Sequence, residues 1–260
     1  MRYGISVPNV GDPGALVELA VVAERAGWDG FFLWDHVNAM PRMLDPWVVL
    51  GAVAARTERT LLGTLVTPVP RRRPWKLAKE VVTLDHLSGG RAVLGVGLGA
   101  PAEAEYGAFG ESVDQREHGA RLDEALPLLD AFMRGERVDH DGEFYSVHAQ
   151  LDPPAVQRPR PPIWVAATIR RARTMARARR MEGVFPSAGP RVPTPEELAE
   201  MVAELDRPDG FDVVGVLTDA AGPGELEAAG VTWALDFPEG ETETRDQRRM
   251  RIEEGPPKSA

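Results

Sequence analysis

Short apolar runs alternate along the chain with stretches in which apolar residues recur every three or four positions. A short apolar run bounded by turn residues is typical of a buried strand, and the longer spacing is typical of a helix. Eight runs predict strands, at residues 3–8, 30–35, 61–67, 92–99, 161–167, 183–186, 211–218 and 231–237. The periodic stretches between them predict a helix after each strand.

Capping residues mark where several of these helices begin and end. Asp12 and Asp45 each precede a proline, which places a capping carboxylate just before the first helical residue. The sequence Thr-Pro-Glu-Glu at residues 194–197 fits a capping box. Gly135 follows the last apolar position of the clearest helix and is expected to end it. Residues 141–142, Asp-Gly, predict a hairpin turn between two short extended runs.

The order of elements predicts the fold class. Strands that alternate with helices form a parallel sheet, and eight such units in a chain of 260 residues are typical of a (β/α)8 barrel. A doubly wound open sheet is the alternative. The barrel is preferred because the units follow one another without a linker or a break in composition. We therefore predict one domain over residues 1–260.

Composition excludes several classes of function. Cysteine is absent, which removes disulfides, thiol nucleophiles, iron–sulfur clusters and cysteine-bound zinc. A formal net charge of −10 argues against nucleic acid as a partner. The first residues do not resemble a signal peptide, and no apolar run is long enough to cross a bilayer. The expectation is a soluble cytoplasmic protein without a membrane partner.

Residues 95–100 fit the pattern G-x-G-x-x-G/A that opens dinucleotide-binding units. Such a unit needs a helix that begins within the motif, but Pro101 follows and the next clear helix is expected well downstream. The context therefore argues against a dinucleotide fold. Gly95, Gly97 and Gly99 are two positions apart, so a strand would place them on one face. They either let the barrel close or leave a flat slot for a ring at its mouth.

Few reactive side chains are predicted at the carboxyl ends of the strands, where barrel enzymes carry their active sites. Asp35 and His36 follow the second strand, although a capping aspartate beside a surface histidine is the alternative interpretation. The lysines, at positions 76, 79 and 258, lie away from strand ends, which argues against a Schiff-base mechanism. No metal-ligand, serine-nucleophile or P-loop motif occurs. A bound cofactor that carries the reaction fits this set best.

Two arginine clusters follow strand ends in this acidic chain. Residues 71–73 follow the third strand, and Arg170 and Arg171 precede the helix after the fifth strand. Helix N-termini favour anions and arginine adds fork-shaped donors, so these residues are candidates for binding a phosphate group. Arginines further along the same helix, among them Arg177, are interpreted as a solvated surface.

Four segments carry a resemblance to a known family. They are GFFLWDHV at residues 30–37, TLDHLSGGRAVLGVGLG at residues 83–99, PPIWVAA at residues 161–167 and AGVTWALDF at residues 229–237. Together they resemble the luciferase-like monooxygenase superfamily of flavin- and deazaflavin-dependent oxidoreductases. The resemblance covers nearly the whole chain, and TLDHLSGGR is its most specific part. It implies a (β/α)8 barrel with FMN or coenzyme F420 at its carboxyl-terminal mouth.

The resemblance also implies roles for particular residues. In the family, the segment matching Thr64, Leu65 and Val66 packs against the ring, often through a non-proline cis peptide. His36 would pass a proton as hydride moves, and Asp35 would orient it. The loop after the fifth strand would hold the cofactor's phosphate. With the glycines of the fourth strand, the predicted cofactor-binding residues are Thr64, Leu65, Val66, Gly97, Gly99, Ala166, Ala167, Thr168, Arg170 and Arg171.

The chain departs from the family pattern at several positions. Ala166 and Ala167 replace a common Gly-Gly pair in the phosphate loop, and Ala100 lies where deazaflavin relatives often carry glutamate. Leu65 lies where members often have glycine. The insertion that usually precedes the last strands is nearly absent, so we expect a more open site.

The predicted function is transfer of hydride between FMN or F420 and a small organic substrate, without a metal. F420 is preferred because the Asp-His pair resembles the deazaflavin branch, and FMN would additionally permit monooxygenation. The alternatives are a non-catalytic flavin-binding relative, or a barrel lyase or hydrolase without redox chemistry. A homodimer is expected from the resemblance alone.

Overall fold

Parallel strands close into a barrel in the computed structural model, which describes residues 1–189, 191–237 and 243–257. The barrel strands are β1 (Arg2–Val7), β2 (Gly30–Leu33), β3 (Leu61–Pro68), β4 (Ala92–Gly97), β7 (Ile163–Thr168), β8 (Gly183–Ser187), β9 (Asp212–Val216) and β10 (Trp233–Asp236). Each strand pairs with the next in this order, and β10 pairs with β1, with Trp233 opposite Arg2. This closure confirms the (β/α)8 barrel and excludes the open sheet.

Helices surround the barrel, and most begin where the capping residues predict. They are α1 (Pro13–Ala26), α2 (Pro46–Ala54), α3 (Pro74–Ser88), α4 (Ala102–Glu105), α5 (Gln115–Arg134), α6 (Ala172–Ala178), α7 (Pro195–Glu204), α8 (Pro223–Ala228) and α9 (Arg245–Glu253). Asp12 and Asp45 each accept a hydrogen bond from a backbone N–H of the helix that follows. Thr194 and Glu197 form the predicted capping box. The short helix α4 was not predicted, and it carries a residue of the site.

The hairpin turn is longer than predicted. Strands β5 (Arg137–Asp141) and β6 (Ser146–Gln150) pair with Asp141 opposite Ser146, so residues 142–145 form the loop. The Glu124 carboxylate of α5 accepts hydrogen bonds from the backbone N–H groups of Phe144 and Tyr145. Tyr145, the last residue of this loop, is 3% exposed and packs into the buried layer beneath it.

Two apolar layers stabilise the barrel. Large rings fill its interior: Trp164 lies 5.5 Å from Phe32 and 5.3 Å from Trp233, measured between ring centroids, and all three are fully buried. A larger layer packs the outer faces of the strands against the helices. The interior is therefore filled below its carboxyl-terminal end, and a ligand can lie only at the mouth.

The segment TLDHLSGGR is a structural motif at the opposite end from the mouth. Arg91, which is 8% exposed, donates hydrogen bonds to the carbonyl oxygens of Ala54, Thr57 and Thr60. Asp85 accepts hydrogen bonds from the backbone N–H groups of residues 156–157. These bonds satisfy buried polar groups and tie α2 and α3 to the amino-terminal ends of β3 and β4.

A bulge in β3 explains two of the glycines in β4. The Leu65–Val66 peptide bond is cis, as the resemblance implied, and the pairing of β3 with β4 shifts between Thr64 and Thr67. A methyl group on Gly95 would lie 2.2 Å from the carbonyl oxygen of Thr64. The glycine thus gives the bulged strand the room it needs.

Of the two alternatives for the glycines of β4, the open flat slot is not observed, because the protein itself fills that space. A methyl group on Gly97 would lie 2.6 Å from Val66 Cγ2, so the side chain of Val66 occupies the space that this glycine leaves. Gly99 lies beyond the end of β4 with φ of 85°, and the alternation of the strand does not extend to it. The glycines shape the mouth through β3 rather than by leaving an open face.

We predict that Gly95→Ala and Gly97→Ala differ in their effect on the free energy of unfolding. Gly95→Ala drives a methyl group into backbone and should cost about 3 kcal/mol, whereas Gly97→Ala meets one side chain and should cost roughly 1 kcal/mol. Urea unfolding followed by circular dichroism measures both. Val66→Ala should recover the loss in the Gly97→Ala background and not in the Gly95→Ala background. Equal losses of unfolding free energy in the two glycine variants, or equal recovery by Val66→Ala in both backgrounds, would contradict this account.

Candidate active site

Aromatic rings surround one side of the barrel mouth. Trp34 follows β2, Phe185 lies in β8 and Phe237 follows β10, and all three are half-buried. The Phe237 ring lies 6.0 Å from the Trp34 ring and 6.1 Å from the Phe185 ring, and the two phenylalanine rings are stacked. Val66 of the β3 bulge and Ala166 of β7 are also half-buried. The mouth is thus a shallow apolar surface made of rings and small side chains.

Asp35 is buried beside the mouth and holds the loop after β3. Its carboxylate accepts hydrogen bonds from Thr67 Oγ1 at 2.8 Å, Arg71 Nη2 at 2.7 Å and Arg72 Nη2 at 2.8 Å. The side chain of Asp35 is 2% exposed. Within the part of the chain that the structure describes, Asp35 makes no hydrogen bond to the His36 side chain. Asp35 therefore does not make the orienting contact that was predicted for it.

Glu105 of α4 makes the contact that was predicted for Asp35. His36 Nδ1 lies 3.2 Å from Glu105 Oε1, and the glutamate side chain is completely buried. The same carboxylate accepts hydrogen bonds from the backbone N–H groups of residues 37–39 and forms an ion pair with Arg71. Glu105 therefore fixes both the ring of His36 and the loop that carries it.

The surroundings of Glu105 keep its carboxyl group ionised. Burial opposes ionisation, but hydrogen bonds from the backbone of Val37 and Ala39, together with the charge of Arg71, outweigh it and hold the pKa below its ordinary value. An ionised carboxylate can only accept a hydrogen bond. Nδ1 of His36 consequently donates to this carboxylate, and Nε2 is the ring nitrogen left available for chemistry.

Sequence reasoning missed Glu105 because no pattern marks α4. The residue that matches the family position, Ala100, is exposed and lies outside α4. Glu103 and Glu105 lie two apart in a four-residue helix, which is too short to show a period. Only the fold shows that Glu105 is buried while Glu103 is exposed.

The predicted cofactor residues of β3 and β7 divide into two groups. Thr64 and Leu65 are buried below the mouth, and Thr64 Oγ1 lies 2.9 Å from Thr67 Oγ1. Ala167 is buried as well, whereas Thr168 is half-buried with its hydroxyl 3.5 Å from Ser187 Oγ. Val66, Ala166 and Thr168 thus reach the mouth, and the others support it from below.

The arginines predicted to bind phosphate do not form one cluster. Arg170 has a positive φ of 59°, is 66% exposed at its side chain and pairs with Glu200 at 2.8 Å. Arg173 pairs with Asp123 at 2.9 Å. Arg171 immediately precedes α6, is exposed and has no ion pair with any described residue. Arg171 is therefore the arginine of this loop that is free to meet an anion.

The interpretation of Arg177 as a solvated residue is wrong. Its side chain is 2% exposed, its Nε donates to Asp123 Oδ1 at 2.7 Å, and its Nη2 donates to the carbonyl oxygen of Gly119 at 3.1 Å. Asp123 and Gly119 belong to α5, which covers this face of α6. The sequence period of a seven-residue helix cannot reveal that neighbour.

Two searches of the described residues found nothing. Over residues 1–189, 191–237 and 243–257, no group of three or more histidine or carboxylate side chains is placed to hold a metal ion. Over the same residues, no helix is both long and apolar enough to cross a bilayer.

Comparisons with known proteins agree with this architecture. Residues 1–230 match the family model of luciferase-like monooxygenases. The F420-dependent glucose-6-phosphate dehydrogenase of Microbacterium testaceum is 38% identical over 189 residues, which are 68% of this chain and 53% of that protein. The chain spans about half the length of the curated relatives it matches.

Solved structures show the same fold. The coenzyme F420-dependent tetrahydromethanopterin reductase of Methanopyrus kandleri superposes with a TM-score of 0.77 at 18% identity, covering 98% of both chains. The monooxygenase RslO1 of Streptomyces bottropensis superposes with a TM-score of 0.70 at 26% identity, covering 97% of this chain and 78% of that one. On its family match and its closed barrel, this chain belongs to the luciferase-like monooxygenase family.

Proposed function

We propose that this protein is an oxidoreductase that transfers hydride between coenzyme F420 and a small organic substrate, with FMN as the second candidate coenzyme. One observation carries the proposal: a half-exposed histidine, fixed by a buried ionised glutamate, lies beside an apolar mouth lined with rings. Family membership supports redox chemistry, and the curated relatives are named as F420-dependent dehydrogenases. We place the whole site in one barrel domain.

The residues of the mouth fit a flat heterocycle with a phosphate tail. Val66 and Ala166 would lie against one part of the ring system, and Trp34 and Phe237 would border it. The hydroxyl of Thr168 and the guanidinium of Arg171 would meet the phosphate. When bound, the coenzyme supplies a ring that accepts or gives hydride. Thr64, Leu65, Gly97 and Ala167 hold these contacts from beneath.

His36 would handle the proton that accompanies hydride transfer. Glu105 keeps the Nδ1 proton in place, which leaves the electron pair of Nε2 directed away from the carboxylate. That nitrogen can take the proton of a substrate hydroxyl as hydride leaves the adjacent carbon, and it returns the proton in the reverse direction. Asp35 acts on His36 indirectly. It pairs with Arg71, and Arg71 pairs with Glu105, which contacts His36.

A cavity lined in part by Trp34, whose ring lies 6.4 Å from the His36 ring, offers room for a substrate. It has a volume of about 1080 Å³ and lies between the loop after β1, the start of α1 and part of α9. Its described lining is mainly apolar, and its charged members are three arginines and three acidic residues, namely Arg42, Arg248, Arg249, Asp12, Glu18 and Glu243. We infer a small organic substrate that carries a hydroxyl or carbonyl group. Glucose 6-phosphate is the first compound to assay, because the curated relatives are named for it.

The first prediction concerns coenzyme choice. F420 should bind the purified protein and raise its melting temperature, since a ligand of the folded state stabilises by mass action. FMN should bind more weakly, and riboflavin, which lacks the phosphate, more weakly still. Fluorescence titration and thermal melting measure the three affinities. Tighter binding of FMN would change the coenzyme, and binding of neither would favour a lyase or hydrolase without redox chemistry.

The second prediction concerns His36. His36→Ala should lower kcat by about 10²–10⁴-fold, the usual contribution of a general base. The dissociation constant of F420 should change little, because the imidazole acts on the substrate proton. Stopped-flow reduction of F420 and fluorescence titration measure the two effects. If binding is lost while turnover at saturating coenzyme is retained, His36 is a structural contact. If the wild-type protein binds F420 but reduces it with no substrate tried, the non-catalytic alternative gains support.

The third prediction concerns Glu105. Glu105→Gln replaces the charged acceptor of the His36 ring with a neutral amide and removes one carboxylate partner of the buried Arg71, so kcat should fall by about tenfold and the melting temperature should drop. Glu103→Gln, on the same short helix but exposed, is the matched control and should leave both quantities unchanged. A lower melting temperature with an unchanged kcat would assign Glu105 to loop stability alone.

The fourth prediction concerns assembly, and it rests on an exposed face of α2 and α3 that combines apolar side chains with charged ones, among them Lys76 and Lys79. Val48 is 76% exposed and Leu87 is 55% exposed on either side of a groove between these helices. We propose that a second copy of the chain covers this face. We also propose a cytoplasmic location, because a chain without cysteine needs no oxidising compartment to form disulfides. The double variant Val48→Asp/Leu87→Asp should be monomeric by light scattering, and Met250→Asp, on α9, should remain dimeric. A monomeric wild-type protein would contradict this proposal.

A further inference from the structure

A second cavity lies outside the barrel mouth and shares Arg71 with the proposed reaction site. It is bounded by the turn after β3, the loop before α5, the first turns of α5 and the β5–β6 hairpin. Its volume is about 290 Å³, close to the lower limit of small-molecule sites, roughly 300 Å³. Four arginines and two glutamates line it, which is a formal excess of positive charge in a chain whose net charge is −10, and two of the arginines, Arg71 and Arg72, are paired with carboxylates behind the lining.

Three residues of the lining each carry a buried polar atom without a hydrogen-bond partner in the described part of the chain. The hydroxyl of Tyr145, Nδ1 of His118 and Nε of Arg72 are buried and have no hydrogen-bond partner among the described residues. Tyr145 is 3% exposed and His118 is 1% exposed. Burying a polar group without a partner costs free energy, so three such atoms in the lining of one cavity point to a ligand that satisfies them.

Two of these atoms are hydrogen-bond donors and the third is an acceptor. Burial raises the pKa of Tyr145, so its hydroxyl is protonated at neutral pH and can donate. The N–H of Arg72 Nε can only donate. His118 Nε2 donates to the carbonyl oxygen of Ser112 at 2.7 Å, which leaves Nδ1 to accept a hydrogen bond from a protonated phosphate oxygen.

Two guanidinium groups complete the cationic lining. Arg73 has no ion pair with any described residue, and its guanidinium lies 6.0 Å from the Trp75 ring. Arg121 is held by Glu117 at 2.8 Å and lies 4.8 Å from the Phe144 ring, so its position is set in advance. A free guanidinium beside an ordered one suits an anion that can accept several hydrogen bonds at once.

We propose that this cavity binds a phosphate group, either as inorganic phosphate or as the phosphoryl group of a small monoester. The tetrahedral oxygens of phosphate match fork-shaped arginine donors and a hydroxyl donor, and the cavity volume leaves room for a small organic part. The site is separate from the coenzyme at the mouth, and the proposal holds whatever the coenzyme proves to be. Arg71 lines the cavity and also pairs with Glu105, so the two sites share a wall.

The test is calorimetric titration of the chain, without coenzyme, with inorganic phosphate at low ionic strength. Arg73→Gln should weaken binding by about tenfold and Tyr145→Phe by about threefold to tenfold, the usual effects of losing a charged and a neutral hydrogen bond. Arg25→Gln, an exposed arginine of α1, removes the same charge elsewhere and should leave the affinity unchanged. Tyr145→Phe keeps the ring, and thermal melting verifies that each variant folds.

Further titrations identify the source of the phosphate group and test its separation from the coenzyme. Glucose 6-phosphate that binds more tightly than phosphate, and depends on Arg73 in the same way, indicates a monoester, whereas equal affinity indicates the free ion. Absence of binding at about 10 mM phosphate, a concentration that would detect even millimolar affinity, overturns the proposal. So does equal affinity in Arg73→Gln and the wild-type protein, and so does loss of phosphate binding when F420 saturates the mouth.

Discussion

Arg71 lies between two buried carboxylates, Asp35 and Glu105, and the geometry of the barrel mouth depends on this arrangement. Removing one member of a buried ion pair costs about 3–5 kcal/mol, because the other charge is left without a partner. Here Asp35 is attached to β2, Arg71 follows β3 and Glu105 follows β4. One guanidinium therefore holds together the loops that follow three neighbouring strands.

The bulge in β3 imposes the second constraint on the mouth. Val66 reaches the half-buried surface only because β3 departs from regular pairing with β4, and Gly95 and Gly97 leave room for that departure. The glycines of β4 thus act on the site through their neighbour. Their spacing resembles a nucleotide motif, but the physical requirement is close approach of backbone to backbone.

The two ends of the barrel have different chemistry. At the amino-terminal end, Arg91 donates hydrogen bonds to carbonyl oxygens and stabilises the junction of helices and strands. At the carboxyl-terminal end, Arg71 and Arg72 pair with carboxylates and leave Nε of Arg72 without a partner in the described part of the chain. Buried arginine is structural at the first end, and at the second it connects the proposed reaction site to the proposed phosphate site.

The sequence by itself determined the class of fold and indicated the end of the barrel at which the proposed site lies. Strand and helix periods are local, as are caps such as Asp12 and Asp45. They can therefore be recognised without knowing which elements pack against them. The rule that barrel enzymes react at strand ends then singled out His36. Family resemblance added the cis peptide at Leu65–Val66, which no local pattern indicates.

Tertiary structure alone decided which charges meet. Glu105 reaches His36 from a position 69 residues away in the chain, and Asp123 of α5 buries Arg177, which is 54 residues from it. Contacts at such separations depend on how helices and loops pack around the closed barrel. The periodicity of strands and helices, two and 3.6 residues, does not predict them. Local pattern could therefore locate the mouth of the barrel, but only the packed fold could show which carboxylate orients its histidine.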